Sequence, residues 1–143
     1  MKKLNCILLV DDNEDDNYFH TLTIQELNAA EQIKTAINGV KALEYLEKGK
    51  EDPQNFPIPD LIFLDINMPG INGFEFLEKA KQRKLIHEGV PAVVVMLTSS
   101  LNPNDEKKAK EQFSSEIKDF QNKPLTVEML KKIIEKFFPE LIC

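Results

Sequence analysis

The chain has 143 residues, and 24 acidic against 18 basic side chains leave a formal charge of −6 at pH 7. That length is accounted for by one domain, and the acidic balance excludes a generic nucleic-acid surface, which needs basic side chains to displace counterions from phosphates. Two cysteines cannot build a disulfide framework, 42% hydrophobic content is too high for a disordered chain, and no apolar run approaches the roughly 20 residues of a membrane helix. Lys2-Lys3 followed by Cys6–Val10 imitates a signal peptide, but Asp11 and Asp12 end the apolar run too early. The expected location is the cytoplasm, with Cys6 and Cys143 reduced.

Cys6–Val10 is short, continuous and rich in branched side chains, as expected for a strand buried on both faces. Glu14–Leu27 follows with an acidic first turn, which suits the positive end of a helix. Gln32–Ile37 is a weaker strand, interrupted by Lys34, and the Asn38-Gly39 turn leads to a helix over Val40–Lys48. Gly49–Pro59 holds Pro53, Pro57 and Pro59 and is expected to be an ordered surface loop. Leu61–Leu64 is a second continuous apolar strand, and Gly73–Lys84 carries Phe74, Leu77 and Ala80 at helical spacing. Ala92–Leu97 is the third such strand. Pro103–Phe113 has Asn102 as cap and Pro103 at the first helical position. Ile117–Phe120 mixes in Lys118 and Asp119 and is another weak strand. Val127–Phe138 starts after Thr126 and aligns Leu130, Ile133, Ile134 and Phe137 on one stripe.

Five alternating strand–helix pairs specify an α/β fold with a parallel sheet and right-handed crossovers. Placing the three continuous runs inside and the two mixed ones at the edges gives the order 2-1-3-4-5. That is the flavodoxin-like, doubly wound arrangement, with helices on both faces. Residues 1–143 are expected to form a single domain with a core of about residues 6–138, with no output domain expected after the fifth helix.

In such a sheet the ligand crevice lies beyond the carboxyl ends of the strands, where the strand order reverses. The residues there are Asp11 and Asp12 after the first strand, Asp65 after the third, Thr98 after the fourth and Lys123 after the fifth. Three carboxylates about 4 Å apart repel one another by roughly 1–4 kcal/mol per pair, so protonation or a cation must compensate. An all-oxygen donor set with room for water suits Mg²⁺. A carboxylate beside that ion can attack a phosphoryl group, with Thr98 and Lys123 as hydrogen-bond donor and counter-charge for the transferred oxygens.

Leu8-Leu9-Val10-Asp11-Asp12, Asp65-Ile66-Asn67-Met68-Pro69-Gly70-Ile71-Asn72-Gly73, Met96-Leu97-Thr98-Ser99-Ser100 and Lys123-Pro124 together resemble the receiver domain of two-component response regulators. The likeness is to the stand-alone, chemotaxis-regulator type and runs from about Cys6 to Phe138. It implies that Asp65 is the phosphoacceptor, charged by a sensor histidine kinase or a histidine phosphotransfer protein. It implies Mg²⁺ held by Asp12 directly, by Asp11 through water, by Asp65 and by the backbone carbonyl of Asn67. Thr98 and Lys123 would contact the phosphoryl group, Phe120 would be the switching aromatic, and Lys123-Pro124 would be cis. Such a domain is no enzyme beyond its own phosphorylation and slow self-dephosphorylation. It would signal to a protein target through the fourth helix, fifth strand and fifth helix, as a monomer or a weak phosphorylation-dependent dimer, without nucleic acid or membrane. Three departures stand out: a long loop before the third strand, no glycine shortly before Phe120, and a phenyl ring without the hydroxyl of a tyrosine.

Other readings fit less well. A phosphatase of the haloacid-dehalogenase type needs a second Asp two residues after the nucleophile, where Asn67 stands. A pseudo-receiver that has lost phosphorylation would not need all five active-site positions. A nucleotide or flavin module needs a Gly- or hydroxyl-rich loop after the first strand, whereas Asp11-Asp12-Asn13-Glu14 is anionic. His20 and His87 lack metal-ligand spacing and are expected to be structural or solvent-facing.

Overall fold

A computed structural model describes residues 3–86, 92–99 and 102–141; Lys2, His87, Ser100 and Cys143 lie outside the described residues. The elements in chain order are β1 (Leu4–Val10), α1 (Glu14–Leu27), β2 (Ala30–Ala36), α2 (Gly39–Glu51), β3 (Leu61–Leu64), α3 (Gly73–Gln82), β4 (Val93–Thr98), α4 (Pro103–Gln112), β5 (Ile117–Asn122) and α5 (Val127–Phe137). All strand pairs are parallel, and the sheet order is β2-β1-β3-β4-β5. The flavodoxin-like expectation is met, with the continuous apolar runs inside and the mixed ones at the edges.

Successive side chains of a strand point to opposite faces, and the interior strands divide their residues accordingly. Leu8, Val10, Ile62, Leu64, Val94 and Met96 pack under α2, α3 and α4. Ile7, Leu9, Leu61, Phe63, Val95 and Leu97 pack under α1 and α5. Both faces are thus dry, which is why these strands carry no alternating polar residues.

Several boundaries differ from the sequence expectation. β1 and β2 both begin two residues earlier, because Leu4 pairs with Ala30 at the start of the ladder, and Ile37 falls outside β2 and is exposed. The helix expected to stop at Lys48 continues to Glu51 through Gly49, which lies so close to the following loop that a Cβ would stand 2.6 Å from the Phe56 carbonyl oxygen. The long loop is ordered as expected: Tyr45 Oη donates to the Pro57 carbonyl at 2.6 Å, and the Tyr45 and Phe56 rings meet edge to face. α3 ends at Gln82 rather than Lys84, which takes the left-handed backbone at φ 59°. β5 runs two residues further than its apolar pattern, to Asn122, since ladder pairing with Leu97 and Thr98 does not depend on side-chain polarity.

Candidate functional site

Backbone bonds just past the strand ends fix the positions of the polar residues at the carboxyl edge. The Asp11 N–H donates to the Ala36 carbonyl at 3.0 Å, the Asp65 N–H to the Val10 carbonyl at 3.0 Å, and the Lys123 N–H to the Thr98 carbonyl at 2.8 Å. Each of these residues extends its ladder by one bond. The loop from Asp65 to α3 closes on itself through the Gly73 N–H bonded to the Ile66 carbonyl at 2.8 Å. No side chain fits at Gly73, where a Cβ would stand 2.5 Å from the Asp65 carbonyl oxygen. Gly70 supplies the positive φ (81°) of this loop, and Asn72 and Glu75 form a reciprocal capping box that starts α3.

Asp11, Asp12 and Asp65 each offer a carboxylate oxygen, and these oxygens lie within 4.8 Å of one another. Asp11 and Asp65 are buried and Asp12 is exposed. Lys123 reaches into the cluster: its Nζ is 2.6 Å from Asp11 Oδ2, 2.8 Å from Asp16 Oδ2 and 3.7 Å from Asp65 Oδ2. One ammonium therefore serves three carboxylates, which leaves the site with excess negative charge. Burial, and then the neighbouring Asp11 charge, push the Asp65 carboxyl up to about 6, although Lys123 pulls the other way. Burial disfavours the Lys123 ammonium, but its bonds to Asp11 and Asp16 and the Asp65 charge outweigh that and raise its pKa.

Asp65 Oδ1 is buried without a hydrogen-bond partner among the described residues. A buried acceptor of this kind, flanked by two further carboxylates, fits a hard oxygen-ligated divalent cation such as Mg²⁺. Thr98, the last residue of β4, is fully buried at the same edge. Asn67 is exposed in the loop two residues beyond Asp65. The structure thus gathers all five strand-end residues, and the Lys123-Pro124 bond is cis.

Two residues of α1 that contact the site, Asp16 and Asn17, were not anticipated. Asp16 pairs with Lys123, and the buried Asn17 donates from Nδ2 to the Asp11 carbonyl at 2.9 Å. His20, one helical turn beyond Asp16, is buried, so the structural alternative holds for it and the solvent-facing one does not. Burial lowers its pKa. The acidic run Glu14-Asp15-Asp16 reads as a dipole-facing turn, and only its helical phase relative to Lys123 distinguishes Asp16.

Phe120 is half-buried on β5, paired with Met96 and packed against the cluster under α4. A cavity of about 250 Å³ adjoins it, lined by Glu106, Ala109 and Lys110 of α4 and by Ile117 and Asp119 of β5. Among the described residues, no helix is long and apolar enough to cross a membrane.

Comparison with known proteins agrees with this geometry. The response regulator receiver domain family model matches residues 7–135. A two-component response regulator of Arabidopsis thaliana is 36% identical over 133 residues, covering 89% of this chain and 80% of that protein. The hybrid signal transduction histidine kinase L of Dictyostelium discoideum is 26% identical over 95% of this chain, which spans only 7% of that protein. The crystal structure of a two-component response regulator from Cytophaga hutchinsonii superposes with a TM-score of 0.83 at 31% identity, covering 96% of this chain and 99% of the other. Domains of this kind are phosphoacceptor signalling modules that work with histidine kinases or phosphotransferases, and they generally bind Mg²⁺ at an acidic pocket. With the family model spanning nearly its whole length and the expected acidic edge in place, the chain belongs to the response regulator receiver domains of two-component systems.

Proposed function

We propose that Asp65 accepts a phosphoryl group and that the phosphorylated domain signals by binding a protein target. The observation that carries this reading is the buried Asp65 carboxylate, with Oδ1 unpartnered among the described residues and a shared ammonium 3.7 Å from Oδ2. A carboxylate oxygen of Asp65 attacks the phosphorus of a phosphohistidine on a sensor histidine kinase or phosphotransfer protein. The new O–P bond forms as the N–P bond breaks, and the imidazole nitrogen keeps the electron pair. Asp12, Asp11 through water, Asp65 and the Asn67 carbonyl would hold Mg²⁺. The ion would supply charge neutralisation on the transferred oxygens. Lys123 neutralises a further oxygen and Thr98 donates its hydroxyl to one. Slow attack by water on the phosphorus returns the carboxylate and releases phosphate.

Drawing the buried Thr98 side chain towards the phosphoryl group would free volume beside β5, and Phe120, two residues along that strand from the ladder partner of Thr98, is the large side chain able to fill it. The open groove between α4 and β5 beside Phe120 leaves room for that ring to shift, and packed cores switch between discrete arrangements, which supports the α4–β5–α5 face as the one that changes. That face is the proposed output surface, offered by a monomer or a weak phosphorylation-dependent dimer in the cytoplasm, with a protein rather than nucleic acid or membrane as its target.

Intact mass after incubation with acetyl phosphate and Mg²⁺ tests the assignment. The parent gains one phosphoryl group, and Asp65→Asn or excess chelator abolishes the gain. Labelling that survives in Asp65→Asn would sink it.

A further inference from the structure

Lys123 is claimed by two carboxylates ahead of the proposed phosphoacceptor. Its side chain is 11% exposed, and both Asp11 Oδ2 (2.6 Å) and Asp16 Oδ2 (2.8 Å) are closer to Nζ than Asp65 Oδ2 (3.7 Å). Asp16 differs from the other two. It comes from the first turn of α1 rather than from a strand end, and its side chain remains 34% exposed.

Helix capping explains why this carboxylate is available. Asp16 lies three residues after the cap Asn13 and gives its backbone N–H to Asn13 Oδ1 at 3.1 Å. In a complete capping box the side chain at this position returns to the N–H of the cap residue, as Glu75 does to Asn72 in α3. At α1 the Asn13 N–H is already taken by Asp11 Oδ1 at 3.0 Å. The Asp16 carboxylate turns to Lys123 instead.

We propose that Asp16 is a positioning residue that retains Lys123 in the unphosphorylated protein and yields it to the phosphoryl group on Asp65. The inference rests on the phosphoacceptor reading of Asp65. A phosphoryl group with close to two negative charges draws the ammonium more strongly than one carboxylate does. Of the two carboxylates that hold Lys123, Asp16 is the easier to leave, because a partly exposed carboxylate regains water whereas the buried Asp11 does not. Asp16 therefore competes with the phosphoryl group for the same ammonium. It also holds back an ammonium that already lies 2.6 Å from Asp11 Oδ2 and 3.7 Å from Asp65 Oδ2; without Asp16 the ammonium moves closer to Asp65, where a positive charge opposes binding of a divalent cation.

Asp16→Asn keeps the shape of the side chain and the backbone N–H that caps α1, and removes only the charge. Its affinity for beryllofluoride, a phosphoryl mimic, measured at saturating Mg²⁺ rises about fivefold, equivalent to about 1 kcal/mol for one partly exposed ion pair. Its affinity for Mg²⁺ alone falls. The nitrogen-15 resonance of the Lys123 ammonium shifts in the metal-free protein, whereas Asp16→Glu, which keeps the carboxylate, stays close to the parent in all three measurements. Both affinities moving in the same direction marks a merely structural role and overturns the proposal, as does an Asp16→Asn protein indistinguishable from the parent. A parent that binds no beryllofluoride overturns the phosphoacceptor reading instead, and the Lys123 resonance separates the two failures.

Discussion

Replacing Asp65 with Asn should stabilise the metal-free protein at neutral pH and lose that advantage in acid. The Asp65 carboxyl rises from 3.8 to about 6, chiefly through burial and then through the Asp11 charge. A carboxyl whose folded pKa exceeds its unfolded one binds more protons in the native state between those two values, so its contribution to stability falls as pH rises. Above about pH 7 the ionised group costs the fold about 3 kcal/mol, from 1.36 kcal/mol per pKa unit. The cost drops to about half of that by pH 5 and to about a fifth by pH 4. Asn has the same shape and no charge, so Asp65→Asn removes the cost. The assay is urea unfolding of both proteins in chelator at pH 8, 7, 6, 5 and 4, with equal m-values required. The expected result is a gap of about 3 kcal/mol at pH 8 that closes steadily towards pH 4. A gap of constant size across that range, or a less stable variant at pH 8, would refute the argument that the carboxylate is strained by burial and like charge.

Two further outcomes follow from the same edge of the sheet. Gly73→Ala would place a methyl 2.5 Å from the Asp65 carbonyl oxygen and 3.1 Å from Ile66 Cα, both backbone atoms, and should cost about 1–3 kcal/mol in chemical denaturation. Mg²⁺ at ten times its dissociation constant should add about 1.4 kcal/mol and raise the melting temperature by a few degrees. In Asp12→Ala the melting temperature should no longer respond to Mg²⁺, and a response equal to the parent's would remove Asp12 from the metal site.

The sequence by itself determined the architecture and most of the acidic edge, because both follow from short-range rules. A strand dry on both faces must be continuously apolar, so Cys6–Val10, Leu61–Leu64 and the run ending at Leu97 announce interior positions, while Lys34 and Lys118 mark the two edges. The polar residue that follows each interior apolar run then lies at the carboxyl end of its strand, which is enough to name Asp11, Asp65 and Thr98 together, whereas Lys123 lies three residues past the apolar pattern of the fifth strand and directly follows β5 only because the ladder runs on to Asn122. Only the tertiary structure decided how those residues share their charges. Lys123 meets Asp16 across 107 positions of chain, at a distance set by how α1 lies relative to the end of β5, and nothing local in Glu14-Asp15-Asp16 separates that carboxylate from its neighbours. The burial of His20 and Asn17 depends in the same way on which side of α1 faces the sheet, a side that the exposed Tyr18, Phe19 and Leu22 obscure in the apolar pattern. The need for glycine at position 49, inside α2 rather than after it, likewise shows only in the fold, where the loop backbone at Phe56 passes too close to leave room for a side chain. Pattern fixes which residues reach the edge of a sheet, whereas the pairing of charges there depends on distances that only packing of the whole chain defines.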